Sequence, residues 1–248
     1  MASHPRYPSH RHPTELPDRP DQPDQPGAPA RVWYAAYGSN MHRARLDHYL
    51  TGGRPPDGAR TYPGCRDGAP PARSLPVLLP GGLHFAQESR VWTGGMAFYD
   101  PLDPGRLPAR AYLISAGQLA DIATQEMHLA PDTPPAPADA PATALATALA
   151  TGRAELGPGR YETLICAGWL DGDPVLTFTA PWRSARADLN RPSPHYLRHC
   201  AAGLREAHGW DAARCARYLA GRPGALGAYP LRALAALLES PGTGPPPM

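Results

Sequence analysis

The chain has 248 residues, 42% of them hydrophobic, and a formal net charge of +2 at pH 7. These values suit one globular domain with a sizeable core and loose ends. All 24 basic residues are arginine, so Schiff-base chemistry on a lysine and a P-loop ending in Gly-Lys-Ser/Thr are excluded. The chain has no block of basic residues, which argues against a nucleic-acid partner.

The N-terminal segment predicts a disordered, proline-rich tail. Residues 1–30 contain eight prolines and almost no large aliphatic residue, so they cannot bury a core. They also lack the apolar stretch of a signal peptide, and no apolar run elsewhere approaches the length of a membrane span. The four cysteines show no CxxC spacing. A cytoplasmic protein with reduced thiols and no membrane partner is therefore expected.

The first strand candidate ends in a turn with binding chemistry. Residues 31–37 (RVWYAAY) are aromatic and small apolar, and the sequence Gly38-Ser39-Asn40 follows. Glycine permits a positive φ and a close approach of a ligand to the backbone. Ser39 and Asn40 suit the N-cap of a helix over residues 41–50, whose first N–H groups would attract a carboxylate or a developing oxyanion. The alternative is an ordinary strand–helix turn, because these residues are common in turns.

The next segments predict three short strands and a helix with one misplaced carboxylate. The strand candidates are residues 81–86, 91–100 and 109–115. In the helix over 116–127, Leu119, Ile122, Ala123 and Met127 have the spacing of a buried stripe. Glu126 lies seven residues after Leu119 and so falls about 20° from it. A carboxylate on this stripe is paired, has a raised pKa, or lies in a cavity where it serves as a general base.

The rest of the chain predicts an α+β fold. Residues 130–152 are a Pro/Ala-rich insertion whose second half favours a short helix, and residues 241–248 form a second disordered tail. Between these segments lie two strand candidates and three helix candidates, which belong with residues 31–129 to one domain over 31–240. The strands cover residues 160–170 and 174–180, and the helices cover 195–209, 211–221 and 231–240.

Three separated segments carry a resemblance to a known family. The sequence YAAYGSNM followed by a helix resembles the signature loop of the γ-glutamylcyclotransferase-like family. The segment YLISAGQLADIATQEM is similar to that family's strand–helix unit, which ends in a Gln-Glu pair. The segment RPSPHYLRHCAAG is similar to its Pro-Ser-x-x-Tyr helix start. The usual glycine after the glutamate is Met127 here, and the 130–152 insertion is an addition. The resemblance implies a small mixed β-barrel with flanking helices, to which the C-terminal helices are added.

The resemblance also implies an activity and a set of site residues. In the family, the α-amine of a γ-glutamyl amide or peptide attacks its own γ-amide carbonyl, which gives 5-oxoproline and a free amine without a cofactor. The resemblance places the catalytic acid/base at Glu126 and substrate binding at Tyr37, Gly38, Ser39, Asn40 and Tyr196. Tyr196 has the alternative of a half-buried helix tyrosine. The C-terminal helices either shape the pocket, form a homodimer contact or only pack against the domain, and the sequence leaves these alternatives open.

Other functions remain open from the residues alone. His195 and His199 lie at i, i+4 on a helix, a spacing that can hold zinc in a metal-dependent amidase or deacetylase. They lack a nearby glutamate of the HExxH kind and an evident third ligand, so two ordinary helix histidines are favoured and no metal is expected. No G-x-S-x-G elbow is present for a serine hydrolase. A non-catalytic binding module for a γ-glutamyl-like ligand is the remaining alternative.

Overall fold

The computed structural model describes residues 12–16, 29–55, 60–89, 92–127 and 140–239. Its strands are β1 Thr14–Glu15, β2 Arg31–Ala36, β3 Arg73–Pro80, β4 Gly82–Ala86, β5 Met96–Asp100, β6 Arg106–Ser115, β7 Arg153–Glu155, β8 Thr163–Leu170 and β9 Asp173–Thr179. Its α-helices are α1 Arg43–Thr51, α2 Ala116–Glu126, α3 Ala140–Thr151, α4 Pro194–His208, α5 Ala212–Ala220 and α6 Leu231–Glu239. Short 3-10 turns span Ser39–Met41 and Ser184–Arg186.

Strand β2 lies at the centre of a mixed seven-stranded sheet with the order β1-β3-β6-β2-β9-β8-β7. It pairs antiparallel with β6 and parallel with β9. Because side chains alternate across a strand, Trp33 and Ala35 join one hydrophobic cluster while Val32, Tyr34 and Ala36 join another. Both faces of β2 are therefore buried, which explains its nearly continuous apolar sequence.

The helices divide between the two faces of this sheet. Helices α4, α5 and α6 contribute the apolar residues that cover the Trp33 face. Helices α1, α2 and α3 contribute those that cover the Tyr34 face. The hairpin of β4 and β5 forms a separate two-stranded sheet. The α+β class predicted from the sequence is confirmed by this arrangement.

The expected closed barrel is not found in the described part of the chain. The sheet has two ends, β1 and β7, and the pairings recorded for the described residues do not join them. The strand order is mixed, as expected, because β1/β3 and β2/β9 are parallel pairs. The family-derived expectation is therefore corrected to an open mixed sheet covered by helices on both faces.

Part of the N-terminal tail is not structureless. Thr14 and Glu15 pair parallel with Val77 and Leu78 of β3, and the Leu16 N–H donates to the Leu78 carbonyl at 3.0 Å. Leu16 is only 1% exposed and belongs to the hydrophobic core. The expectation of disorder is thus wrong for residues 12–16. The other tail residues up to 28, the first part of the insertion and residues 241–248 lie outside the described residues.

Two boundaries differ from the sequence predictions for local reasons. The strand expected over 91–100 begins only at Met96, because Gly94 has a positive φ of 110° in the turn before it. The strand β3 was not predicted, since Pro76 and Pro80 interrupt its apolar pattern. All four cysteines are free. Within the described ranges, every helix is too short or too polar to cross a bilayer.

Candidate active site

A cleft opens where β2 ends, and it receives residues from distant parts of the chain. It contains about 390 Å³ of empty space, including its open mouth. All six residues predicted for the site line this cleft, namely Tyr37, Gly38, Ser39, Asn40, Glu126 and Tyr196. It is also lined by Tyr34, Ala36, Ala97, Tyr161, Thr177 and Phe178. The fold therefore brings the predicted residues together, while their roles in binding and catalysis remain predictions.

The loop after β2 has a different conformation from the one expected. Gly38 has φ −105°, so its glycine character is not required by a positive φ. Space favours glycine instead, because a Cβ at this position would lie 3.1 Å from the Tyr196 hydroxyl oxygen, a tight contact. Asn40 is not the cap of α1. It lies inside the 3-10 turn Ser39–Met41, and His42 precedes the helix without a side-chain cap.

This 3-10 turn leaves two backbone donors without partners inside it. Its first intrahelical bond runs from the Met41 N–H to the Gly38 carbonyl at 3.1 Å. The N–H groups of Ser39 and Asn40 precede that bond, and the hydrogen bonds recorded among the described residues give them no acceptor. Both residues line the cleft. They can therefore donate to an anionic or carbonyl oxygen that enters it.

Side chains from β6 and α4 hold the loop and the start of α1 in place by hydrogen bonds. The Tyr112 hydroxyl on β6 lies 2.9 Å from the Met41 carbonyl oxygen and 3.1 Å from that of Asn40. Glu206 on α4 accepts from the Arg43 N–H at 3.0 Å and forms an ion pair with Arg110 at 2.7 Å. These contacts fix the direction of the loop because they hold its carbonyl side against the sheet and α4.

Helix α2 delivers Glu126 to the cleft from the opposite direction. Ser115 and Gln118 form a capping box at its start, which satisfies two otherwise unpaired N–H groups. Leu119, Ile122 and Ala123 are buried, as the stripe predicted. At its end, the Gln125 amide donates to the Tyr49 carbonyl at 3.0 Å. The last turn is therefore attached to α1, and Glu126 is its final residue.

The Glu126 carboxylate is held directly by the loop. Asn40, which is 5% exposed, donates from Nδ2 to Oε1 of Glu126 at 2.7 Å. Burial raises the pKa of Glu126 above its ordinary value, although Arg45, Tyr49 and Asn40 each act to lower it. The Glu126 residue is nevertheless only partly buried and lines the cleft. A carboxylate with a raised pKa and open access is suited to exchange protons near neutral pH.

Tyr196 lines the cleft from α4, and its hydroxyl lies against Gly38 of the loop. Ser193 caps α4 by accepting from the Tyr196 N–H at 3.2 Å, and Pro194 occupies the first turn, so the Pro-Ser-x-x-Tyr sequence builds a defined helix start. The Tyr196 hydroxyl accepts from the Ala97 N–H at 3.2 Å. Tyr196 is buried, so it is not the half-buried helix tyrosine of the alternative, and its part in substrate binding stays a prediction.

Several residues of the site were missed by sequence reasoning. The wall formed by Tyr34, Tyr161 and Phe178 comes from three different elements, and only the sheet topology brings them together. Tyr161 donates to the Ala97 carbonyl at 2.9 Å. Alternation along β2 could have indicated Tyr34, because it shares a face with Val32 and Ala36. No local signal could have indicated Tyr161.

The two histidines considered as zinc ligands pack against an indole instead. The ring centroids of His195 and His199 lie 5.3 Å and 4.8 Å from that of Trp92. Burial lowers the pKa of His199 to about 3, so its ring is neutral. Within the residues that the structure describes, no group of three or more His, Cys, Asp or Glu side chains is arranged to hold a metal ion.

Comparisons with known proteins give a limited likeness. No family model matches the chain. It is 29% identical over 185 residues to histone deacetylase 5 of Arabidopsis thaliana, which covers 71% of this chain but only 28% of that protein. The chain therefore spans little more than a quarter of the length of this relative.

Two solved structures are similar to the chain at a lower level. One is a gamma-glutamyl cyclotransferase, with a TM-score of 0.43, 14% identity, and coverage of 84% of this chain and 98% of that one. The other is an uncharacterized protein from Homo sapiens, with a TM-score of 0.43, 15% identity, and coverage of 86% and 100%. Similarity at this level assigns no activity, so the functional interpretation depends on the geometry of the cleft.

Proposed function

We propose that the protein is a γ-glutamylcyclotransferase-type enzyme that converts a γ-glutamyl amide to 5-oxoproline and a free amine. The α-amine nitrogen forms a bond to the γ-carbonyl carbon, and the bond from that carbon to the amide nitrogen breaks. The attacking nitrogen loses two protons in all. The leaving nitrogen gains two and departs as an ammonium ion at neutral pH, so the reaction needs no oxidant, cofactor or water.

One observation carries this proposal above the others. The Glu126 carboxylate lies at the cleft with a raised pKa and is held at 2.7 Å by Asn40 of the opposing loop. In this assignment, ionised Glu126 removes a proton from the substrate's α-ammonium group and later delivers one to the leaving nitrogen. A positioned acid/base of this kind contributes roughly 10²–10⁴-fold to a rate.

The loop supplies hydrogen-bond donors for the substrate's oxygen atoms. Ser39 and Asn40 line the cleft, and the hydrogen bonds recorded in the described residues give their N–H groups no protein acceptor. In this assignment they donate to the substrate's α-carboxylate or to the oxygen that becomes negative during attack. Holding the substrate bent in this way favours ring closure, because a well-oriented intramolecular attack gains on the order of 7–11 kcal/mol.

The cleft walls support a bent and partly desolvated substrate. Tyr34, Phe178 and Tyr161 present aromatic surface, and the Tyr37 hydroxyl is already engaged with the Phe178 carbonyl at 2.7 Å. These walls restrict the volume next to Glu126. In this assignment a bound substrate would displace water from this aromatic surface, which would favour cyclisation over hydrolysis.

The test is a panel of γ-glutamyl amides with mass-spectrometric detection of 5-oxoproline. The panel should include γ-glutamyl dipeptides, glutathione and γ-glutamyl alkylamines, with Glu126→Gln as the matched variant. Wild-type protein is expected to form 5-oxoproline from at least one member, and Glu126→Gln is expected to form none above background. Equal rates for the two proteins would contradict the assignment of Glu126.

The same panel separates the enzyme from a binding module. A binding module would show ligand-induced thermal stabilisation without product. The similarity to a deacetylase gives no competing proposal, because the match covers only 28% of that protein.

A further inference from the structure

We propose that Arg45 is the positioning residue of this site, whose guanidinium orients the Ser39–Asn40 loop and supplies the positive charge that keeps Glu126 ready to accept a proton. This inference rests on the proposed function for its catalytic consequence, and on geometry alone for its structural part. Arg45 lies on α1, immediately behind the loop, and does not line the cleft itself.

The guanidinium of Arg45 makes two directed contacts in a buried setting. Its Nε donates to the Ser39 hydroxyl oxygen at 3.0 Å, and its Nη2 donates to the Tyr62 hydroxyl oxygen at 2.6 Å. Arg45 is only 7% exposed. Because the guanidinium is planar and rigid, two bonds on different nitrogens fix its orientation. Ser39, one of the two residues with unpaired N–H groups in the cleft, is thereby tied to α1.

Three aromatic rings also lie close to the same guanidinium group. Its Cζ lies 4.8 Å from the centroid of Trp92, 5.5 Å from that of Tyr62 and 5.9 Å from that of Tyr49. Ring faces attract a cation, and the attraction strengthens where water is excluded. This enclosure explains how an arginine is accommodated on the inward face of α1, next to Leu46 and Leu50.

No carboxylate contacts this buried cation in the described part of the chain. The ion pairs recorded there do not include Arg45, whereas Arg43 two positions earlier pairs with Asp47 at 2.6 Å. A buried cation without a contacting anion is costly. The carboxylate with the strongest effect on Arg45 is Glu126, and Arg45 is in turn the strongest factor that lowers the pKa of Glu126 against its burial. The Arg45 side chain therefore both contacts the loop through Ser39 and supplies the positive charge that acts most strongly on Glu126.

Other titratable groups besides Arg45 also interact with Glu126. Tyrosines surround it from the sheet, from α1, from the segment before β8 and from α4, and one further arginine lies after α1. These groups are Tyr34, Tyr37, Tyr49, Tyr161, Tyr196 and Arg60. The tyrosines are neutral at physiological pH because burial raises the pKa of each. Arg60 acts more weakly than Arg45 on Glu126.

The experiment compares Arg45→Gln and Arg45→Lys with Arg43→Gln as the matched control. Arg43 is on the same helix, carries the same charge and lies outside the cleft lining. The first readout is the pKa of Glu126, measured by ¹³C NMR on glutamate-labelled protein and assigned by the signal lost in Glu126→Gln. The second is the backbone amide shift of Ser39 and Asn40. The third readout is the pair of kinetic constants KM and kcat, determined separately for the best substrate.

Each variant has its own expected result. Arg45→Gln should raise the Glu126 pKa by about one unit and displace both loop amide signals. Arg45→Lys keeps a charge but cannot make both directed bonds, so the pKa should stay near the wild-type value while KM rises roughly tenfold. Arg43→Gln should change none of these quantities. Should Arg45→Gln fail to fold, Arg45→Lys decides through KM and the loop amides.

The outcomes also separate this inference from the proposed function. An unchanged Glu126 pKa in Arg45→Gln, or unchanged loop amides and KM in Arg45→Lys, overturns the role of Arg45. A pKa shift and displaced loop amides in a protein that forms no 5-oxoproline from any amide overturn the proposed function. That second result leaves Arg45 as the residue that orients the loop and the carboxylate.

Discussion

Asn40 and Glu126 are separated by 86 positions in the chain, and the Asn40 side-chain amide donates to the Glu126 carboxylate at 2.7 Å. The bond joins the loop after β2 to the last residue of α2. An amide N–H facing a carboxylate favours its ionised form. The contact therefore fixes the position of the loop relative to α2 and also lowers the pKa of Glu126 against the effect of burial.

Glu126→Gln is expected to stabilise the protein at neutral pH while it abolishes turnover. Because the folded state raises the pKa of Glu126, the folded protein retains a proton that the unfolded chain has lost in the window between the two values. Stability at this site is therefore present below the unfolded pKa and decreases as pH rises through the folded pKa. Glutamine removes that cost and can still accept from Asn40.

Thermal unfolding of both proteins across pH 4 to 8 checks this expectation. The melting temperature of Glu126→Gln should equal or exceed that of wild type at neutral pH, and the advantage should shrink toward acidic pH. A variant that melts lower at every pH would show that the carboxylate stabilises the fold.

Asn40→Asp is expected to shift the activity profile to higher pH. It would place a second carboxyl group within hydrogen-bonding distance of Glu126, and two carboxylates so close share a proton, which raises one apparent pKa by at least about one unit. The acidic limb of the pH profile of kcat/KM should therefore move to higher pH. The control is Asn190→Asp, because Asn190 also donates to a glutamate, Glu88, at 2.7 Å, but lies outside the cleft. An identical shift in both variants would contradict the prediction.

Gly38→Ala is expected to weaken both stability and substrate capture through one contact. The new methyl group would lie 3.1 Å from the Tyr196 hydroxyl oxygen, and overpacking of this kind costs about 1–3 kcal/mol. Tyr196→Phe removes the oxygen and leaves the Ala97 N–H without its acceptor. The double variant should therefore be more stable than the sum of the two single effects.

A double-mutant cycle by urea unfolding measures that coupling, which is expected at about 0.5–3 kcal/mol for residues in contact. The KM of Gly38→Ala should also rise. Strict additivity would mean that the alanine is accommodated away from Tyr196.

Leu16→Ala is expected to destabilise the fold without affecting catalysis. Leu16 is 1% exposed, and truncating a buried leucine costs about 2–5 kcal/mol. Leu102→Ala is the matched control, because Leu102 is 69% exposed. Denaturant midpoints should fall only for Leu16→Ala, and kcat/KM should be unchanged in both. Equal midpoints would show that the β1 segment does not contribute to the folded state in solution.

The spacing of apolar residues correctly predicted the helix α2 and the strand β2. The stripe of α2 was visible because Leu119 and Ile122 follow the helical repeat, and the same repeat placed Glu126 on the buried side. The strand β2 was visible because its residues are apolar throughout. Gly38 was indicated by the chemistry of the turn as well as by the resemblance, whereas Tyr196 was indicated by the resemblance alone.

Tertiary contacts account for what the sequence did not reveal. Asn40 resembled a helix cap, and only the position of α2 makes its amide a partner of a carboxylate. Arg45 was not singled out from the sequence, because its contacts with the Trp92 and Tyr62 rings arise only in the folded structure. The strand β3 was missed because prolines are rare inside a sheet. They are tolerated here because one side of β3 pairs only with the two-residue strand β1 at the end of the sheet, and the local sequence does not reveal that neighbour.

The short pairing of Thr14 and Glu15 with β3 has a consequence for self-association. Pro76 and Pro80 remove two donors from the side of β3 that β1 covers, and the segment ending at Leu16 occupies the peptide groups around Leu78 between them. An uncovered strand edge is a template for pairing between molecules. We therefore expect a chain cut after Leu16 to expose this strand edge together with the apolar site that Leu16 fills, and to self-associate more readily than the full chain.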